Sequence, residues 1–418
     1  MASVSHARRG QGGRWPAAGL ALVVALAGAC SGSESDGGEA DAGSGSPATE
    51  DVAAVAPFTG ADFYEVPDSL PGGEHGTLIR YEPDPALEVD SATSYRIMYL
   101  SESVAGDPIA VTGTATVPTA PAADGGRPIV SLAHGTTGIA DECAPSKTAG
   151  GNSGSLGIGL FTGPGAIVAN TDYEGLGTPG RHPYLVGQSE GRSVLDAALA
   201  ARQLPDADAG TALGLFGYSQ GGHGALWAGQ LAPTWAPELD LVGTVAGAPA
   251  TELPIILGAG ARSAGGFVMM MVAGFHEAYP DAPLSTLVTP EGEAALDTVD
   301  TGCTGEVLGA FREMDAAALF RPGGAQAEPW AMLMEENNPG TVATEAPILV
   351  LNSAADEVVP NPLVDILYQR MCSEGQVVER RVYQEGQGHV GAAPAAYTDG
   401  AAWLQGRFGG AEPTTTCR

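Results

Sequence analysis

Short apolar or alternating runs recur along the chain, each ended by a turn signal. They are "AVTGTATVP", "PIVSLAHG", "GAIVANTDY", "ALGLFGYS", "LVGTVAGA", "APILVLNS" and "QVVERRVYQ", and they read as strands. Between several of them the apolar period lengthens to that of a helix, over 189–204, 220–231 and 362–371. Strands alternating with helices predict an α/β protein with a mostly parallel sheet covered on both faces. The alternation breaks between about Thr251 and Thr344, where "AGGFVMMMVAGFHEAYP" and "GEVLGAFREMDAAALF" read as helices with no strand between them. The pattern therefore predicts a core formed by residues 57–250 and 345–418, interrupted by a helical cap at 251–344.

The first residues have a different character. Arg8, Arg9 and Arg14 precede an apolar stretch, Ala17 to Ala29, that is too short to span a bilayer. Residues 1–29 are expected to be an export signal, and the fit to a twin-arginine signal after Arg8-Arg9 is poor. Cys30 follows the small residues Ala27, Gly28 and Ala29 and opens a Ser/Gly/Asp/Glu tract, "SGSESDGGEADAGSGSPATED". This resembles a bacterial lipoprotein junction, with Ala27 where leucine is usual and Leu26 displaced by one. The expectation is lipidation at Cys30, the alternative being plain secretion. Residues 30–56 cannot bury a core and read as a flexible acidic tether.

Charge and cysteine usage narrow the partners. Acidic residues outnumber basic ones 49 to 18, and the net charge of −31 repels nucleic acid and anionic membrane surfaces. No nucleic-acid partner is expected, and membrane contact only through the N-terminal anchor; the expected state is a monomer. Of the five cysteines, Cys30 is assigned to lipid, which leaves Cys143, Cys303, Cys372 and Cys417 as an even set in an oxidising setting. Two disulfides are expected, and four cysteines allow three pairings. Cys-x-x-Cys spacing is lacking, so neither a zinc site nor any other metal or cofactor is expected.

The candidate chemistry centres on "FGYSQGGHG", residues 216–224. An apolar run precedes Ser219, and Ala225, Leu226, Trp227 and Leu231 follow at helical spacing. A Gly-x-Ser-x-Gly turn between strand and helix projects the serine hydroxyl above the sheet, where flanking side chains would collide. Its bland alternative is an ordinary strand-to-helix turn. A serine nucleophile needs a base, and the base needs a carboxylate to fix its tautomer. In α/β-hydrolase order both follow the serine, which sets aside His6, His75, His134 and His182; His223 points away along the next helix and His276 belongs to the cap. His389, on a loop after "VVERRVYQ", is the expected base. Asp356, just past the strand in "APILVLNSAADEVVP", is the expected acid, with Glu357 the local runner-up and Asp365 less suitable inside the next helix. The oxyanion donors are expected to be the backbone N–H of Gln220 and that of Thr136 or Thr137 in "SLAHGTTG".

Taken in order, "HGTTG", "CAPS", "DYEGLGTPGRHPYLVGQSEGRSVLDAALAA", "GYSQGGHGALWAGQLAPTWAPELDLVG" and "ADEVVP" resemble the secretory lipase family of α/β-hydrolases over roughly Phe58 to the end. The resemblance implies an exported serine esterase or lipase acting on acylglycerol or related lipid esters through an acyl-enzyme, with a helical cap and a triad of Ser219, Asp356 and His389. It also implies the pairings Cys143 with Cys303 and Cys372 with Cys417. The lipoprotein-like leader departs from family members released into the medium. Acyl-chain length is not carried over. Two alternatives stand beside hydrolysis: an acyltransferase using the same acyl-enzyme, and a noncatalytic surface protein that holds an apolar ligand in its cleft. Within the cap, "LGAGARSAGG" is suited to a hinge, and Phe267, Met270, Met271 and Phe275 are expected to include residues touching the acyl chain. For the run Met269 to Met271, plain core packing is the competing role.

Overall fold

The computed structural model describes residues 55–148, 157–260 and 265–418. The expected signal, Cys30 and nearly all of the tether lie outside the described residues.

Nine strands form one sheet in the order β1-β2-β3-β5-β4-β6-β7-β8-β9. In chain order they are β1 (Leu78–Pro83), β2 (Ala92–Glu102), β3 (Pro108–Pro118), β4 (Arg127–Ala133), β5 (Ile167–Thr171), β6 (Ala209–Tyr218), β7 (Asp240–Gly247), β8 (Ile348–Ser353) and β9 (Val378–Tyr383). From β5 across to β9 every pairing is parallel, whereas β1, β2 and β3 pair antiparallel at the other edge. Each expected strand is present. β1 and β2 were not among them: "LIRYEP" and "ATSYRIMYLSE" carry polar and charged side chains at half-buried positions, and their strand character comes from pairing. Ala92 to Glu102 lies in unbroken register with Pro118 to Pro108.

The central strands are buried on both faces, as parallel strands between helical layers must be. β6 shows how the period of two divides the core. Leu213 and Leu215 belong to the cluster formed with helices Gly187–Ala201 and Gln220–Trp235. Phe216 and Tyr218 face the other way, toward Ala396, Tyr397 and Leu404 of helix His389–Phe408. That last helix is a correction to the expected loop at His389, which is its first residue. Small residues on the packing side explain why no strong helical period betrays it: Gly400 lies so close to Phe216 that an added Cβ would sit 2.4 Å from the ring. Beyond β8, helix Asn361–Ser373 lies against a smaller core of Val350, Val364 and Leu367.

Between β7 and β8 the described residues form helices and no named strand. Leu253–Gly260, Gly265–Ala278, Thr304–Phe311 and Trp330–Glu336 are the main ones, and "GEVLGAFREMDAAALF" proves to be two helices, the second Ala316–Leu319, separated by a turn. The central part of the expected hinge, residues 261–264, lies outside the described residues. This insertion has its own core, in which Met269, Met270, Met271, Phe275 and Trp330 are fully buried.

Cys143 pairs with Cys303 and Cys372 with Cys417, each with Cα atoms 5.5 Å apart. The first ties the loop after β4 to the insertion, and an isolated bridge between Gly138 and Cys303 runs alongside it. A side chain at Gly138, where φ is +129°, would press to 2.7 Å from Cys143 Sγ. The second closes the C-terminal tail onto helix Asn361–Ser373. With a sequence separation of 45, chain entropy gives this closure about 4 kcal/mol of stabilisation. The double variant Cys372→Ser/Cys417→Ser is therefore expected to lose up to about 4 kcal/mol of unfolding free energy in urea; an unchanged midpoint would show that the tail contributes nothing.

Candidate active site

The end of β6 delivers Ser219 with φ 61° and ψ −120°, after which helix Gln220–Trp235 begins. A non-glycine residue held there stores of order 1–3 kcal/mol of strain. Its neighbours leave no room for relaxation. A Cβ on Gly217 would fall 1.9 Å from the Gly221 carbonyl oxygen, and one on Gly221 would fall 1.9 Å from that of Ala133 at the end of β4. The Ser219 backbone is also bonded on both sides: its N–H donates to Gly247 O (2.8 Å), and its carbonyl accepts from His223 N and Ala250 N, both at 3.2 Å.

Three side chains expected to act together form one line. Ser219 Oγ and His389 Nε2 lie 2.9 Å apart, and His389 Nδ1 lies 2.8 Å from Asp356 Oδ2. Because a carboxylate only accepts, Nδ1 is the protonated nitrogen and Nε2 is free to accept from the serine. The other carboxylate oxygen, Asp356 Oδ1, accepts from Val358 N (3.0 Å) and Val359 N (2.7 Å), which fixes its direction. Glu357 has a different role from the one considered for it: its Oε2 accepts from the backbone N–H of His389 at 3.0 Å. Asp365 pairs with Arg380 instead. The Tyr218 hydroxyl donates to His389 O (2.6 Å), so the residue before the serine also anchors the histidine. His276 forms no bond to this line.

The loop after β4 flanks the serine. A Cβ on Gly135 would come within 3.8 Å of Ser219 Cβ. Thr136 Oγ1 bonds Tyr184 OH at 2.7 Å, while Thr137 Oγ1 is buried with no partner among the described residues. Thr304 of the insertion holds both threonine carbonyls, through its hydroxyl to Thr136 O (3.0 Å) and its N–H to Thr137 O (2.9 Å). Gln220, as the first helical residue, has a backbone N–H without an intrahelical acceptor.

A buried polar group behind Gln220 was missed from sequence. Gln220 Nε2 donates to His182 Nε2 (2.8 Å) and to Glu190 Oε1 (2.9 Å). Glu190, fully buried, also accepts from Leu185 N (3.0 Å) and meets His223 Nδ1 at 2.6 Å; His223 Nε2 donates to Asn337 O (2.9 Å) in the insertion. The available signal was a glutamate in an otherwise small and apolar helix face in "QSEGRSVLDAALAA", a charge that needs partners if buried. His223 and His182, set aside as bases, are structural members of this group.

Beside Ser219 is a cavity of about 200 Å³. The core contributes Tyr184, Leu185, Val358 and Leu363, and the insertion contributes Ile255, Ile256, Phe267 and Met271. Of the four residues expected near the acyl chain, Phe267 and Met271 line the cavity. Met270 and Phe275 do not: both are packed inside the insertion core, Met270 about 100° round helix Gly265–Ala278 from Met271, and Phe275 one turn further along the same face, past the cavity.

A family model described as secretory lipase matches residues 158–416. The chain belongs to the secretory lipase family. Its class is accordingly carboxylic ester hydrolase, of the lipase and esterase type. Secreted triacylglycerol lipase LIP4 of Malassezia globosa is 27% identical over 383 residues, covering 85% of this chain and 82% of its own. A Mycobacterium tuberculosis protein named "Probable inactive lipase MT1628" is 25% identical over 389 residues, covering 85% and 83%. The closed-state crystal structure of Candida antarctica lipase A superposes with a TM-score of 0.72 at 22% identity, over 85% of this chain and 87% of that one. The shared fold is that of the α/β-hydrolases.

Burial holds the His182 ring neutral, with its pKa pushed down to about 4. Its Nδ1 donates to Glu174 O (2.8 Å), leaving Nε2 to accept from Gln220. A depressed pKa contributes stability that is present above the ordinary value near 6.5 and lost as the pH falls toward the folded value. Between pH 7 and 4.5 the expected contribution lost is about 2–3 kcal/mol. Urea unfolding across that range should fall correspondingly less steeply in His182→Gln; equal slopes would mean that this ring protonates freely in the folded protein.

Proposed function

We propose that the protein hydrolyses neutral lipid esters through an acyl-enzyme on Ser219. The observation that carries this is the continuous hydrogen-bonded line Ser219, His389, Asp356 beside an apolar cavity. Ser219 Oγ attacks the ester carbonyl while its proton passes to His389 Nε2. Asp356 holds the Nδ1 proton in place and stabilises the imidazolium that forms. The carbonyl oxygen, now negative, is held by the backbone N–H of Gln220 and by one from Thr136 or Thr137. Collapse of the tetrahedral intermediate expels the alcohol, which takes the proton from His389 Nε2. Water then gives a proton to the same nitrogen as it attacks the acyl-enzyme, and the acid leaves as Ser219 is restored.

In this reading the insertion, residues 251–344, is the cap, and it contributes the apolar side of the site. Export follows from the secretory family and the leader at 1–29; lipid anchoring at Cys30 rests on the leader sequence alone. Acyl transfer would use the same intermediate with an alcohol in place of water. The noncatalytic alternative has less support, because such a protein has no need to hold Ser219 in strain against a base with a fixed tautomer.

Ser219→Ala and His389→Ala are each expected to lower kcat/KM on p-nitrophenyl esters by about 10⁴-fold or more, and Asp356→Asn by about 10⁴-fold through the wrong imidazole tautomer. The wild type should label with a fluorophosphonate at Ser219. A folded wild type that neither labels nor hydrolyses any ester would sink the reading in favour of ligand binding.

A further inference from the structure

We infer that the site selects esters whose acyl chain is short to medium, with an optimum near eight carbons, rather than the long chains of storage fats. The inference rests on the hydrolase reading above and adds the class of substrate. Its basis is the volume and the walls of the cavity beside Ser219.

The polar end of the cavity is well defined. Ser219 is bonded to the imidazole of His389, and Glu357 to the backbone N–H of the same residue, so both lie at the His389 end. The remaining lining is dominated by apolar side chains, among them Ile255, Ile256, Phe267, Met271 and Leu363. An ester bound with its carbonyl at Ser219 therefore gains by directing its acyl chain, not its polar alcohol, along these residues.

The length of that chain is set by volume. An apolar cavity of ~150 Å³ accepts a benzene ring, six carbons, without rearrangement. At the same density, about 200 Å³ accepts a chain of roughly eight carbons. The walls at Met271 and Val359, both buried, do not yield easily. Behind Met271 lie Met269, Met270, Phe275 and Trp330, all fully buried in the insertion core. On the opposite side Val359 packs into the core with Val364 and Leu367. Enlarging the cavity at either of these two walls would mean repacking a filled core, and such interiors are dense. The open edge is at Ile255, whose side is 44% exposed. Carbons beyond about the eighth emerge there into water and gain nothing from burial.

The test is kcat/KM for a p-nitrophenyl ester series from acetate to palmitate, each below its aggregation limit, using the full folded chain. Each methylene that enters the cavity should raise kcat/KM up to roughly fourfold, and the rise should stop near the octanoate. Met271→Ala removes one wall group and should move the optimum one to two carbons longer; Met271→Phe, which is bulkier and stiffer and narrows the cavity, should move it shorter. Fluorophosphonate labelling of the wild type keeps the two levels apart. A protein that labels but rises steadily to palmitate overturns the chain-length inference and leaves the hydrolase reading standing. Absence of both labelling and hydrolysis removes the reading and the inference together. An optimum near eight carbons that neither Met271 variant moves would show that a different wall sets the length, and the assignment of this cavity would fall.

Discussion

The rest of the site depends on the close approach at the turn after β6. Gly217, Gly221 and the end of β4 are so near one another that no Cβ fits between them, and this contact holds Ser219 in a backbone conformation a serine would otherwise leave. The strain is maintained by neighbours that cannot move: parallel strands on each side and a helix that starts at the next residue. Its result is geometric. The hydroxyl stands within hydrogen-bond reach of His389, and the helix begins at the next residue with a backbone N–H that has no intrahelical acceptor.

Two tethers join the loop after β4 and the turn after β6 to the helical insertion. One is covalent and passes through Cys143 and Cys303, with Thr304 bonded to the Thr136 and Thr137 carbonyls beside it. The other is polar and buried: Glu190 receives Leu185 and Gln220 and faces His223, which in turn holds Asn337. Removing a buried carboxylate from such a group strands several donors at once, so its cost exceeds that of any one bond. The loop after β4 and the start of helix Gln220–Trp235 are thus each fixed to the insertion, which lines the apolar cavity. The core and insertion residues that line this cavity therefore have relative positions set from both sides.

Asp356 and His389 show the same division between rigid frame and local geometry. Asp356 is oriented by two backbone N–H groups of its own turn, and Glu357 spends its charge on the N–H of His389. Two adjacent carboxylates therefore do different things to one residue. One holds the ring and the other holds the backbone at the start of a 20-residue helix.

The sequence by itself determined the parallel core, the strand-turn-helix at Ser219 and the chain order of Ser219, Asp356 and His389, since each is written in local patterns: apolar runs, glycines about a turn, and positions that follow strands. The family resemblance added the cysteine pairing, which spacing alone left open. Tertiary structure decided what depends on neighbours distant in the chain. β1 and β2 became strands through pairing despite polar positions, and the helix beginning at His389 was hidden because Ala396, Gly400 and Ala401 interrupt the apolar period that Tyr397 and Leu404 would otherwise show on its packing face. The burial of Glu190 could not be read from one helix, because its partners, Leu185, Gln220 and His223, lie outside that helix. Likewise a run of three methionines does not say which faces a cavity. Helical rotation places Met271 in the wall and Met270 in the packing behind it, and only the insertion's own core determines which side is which.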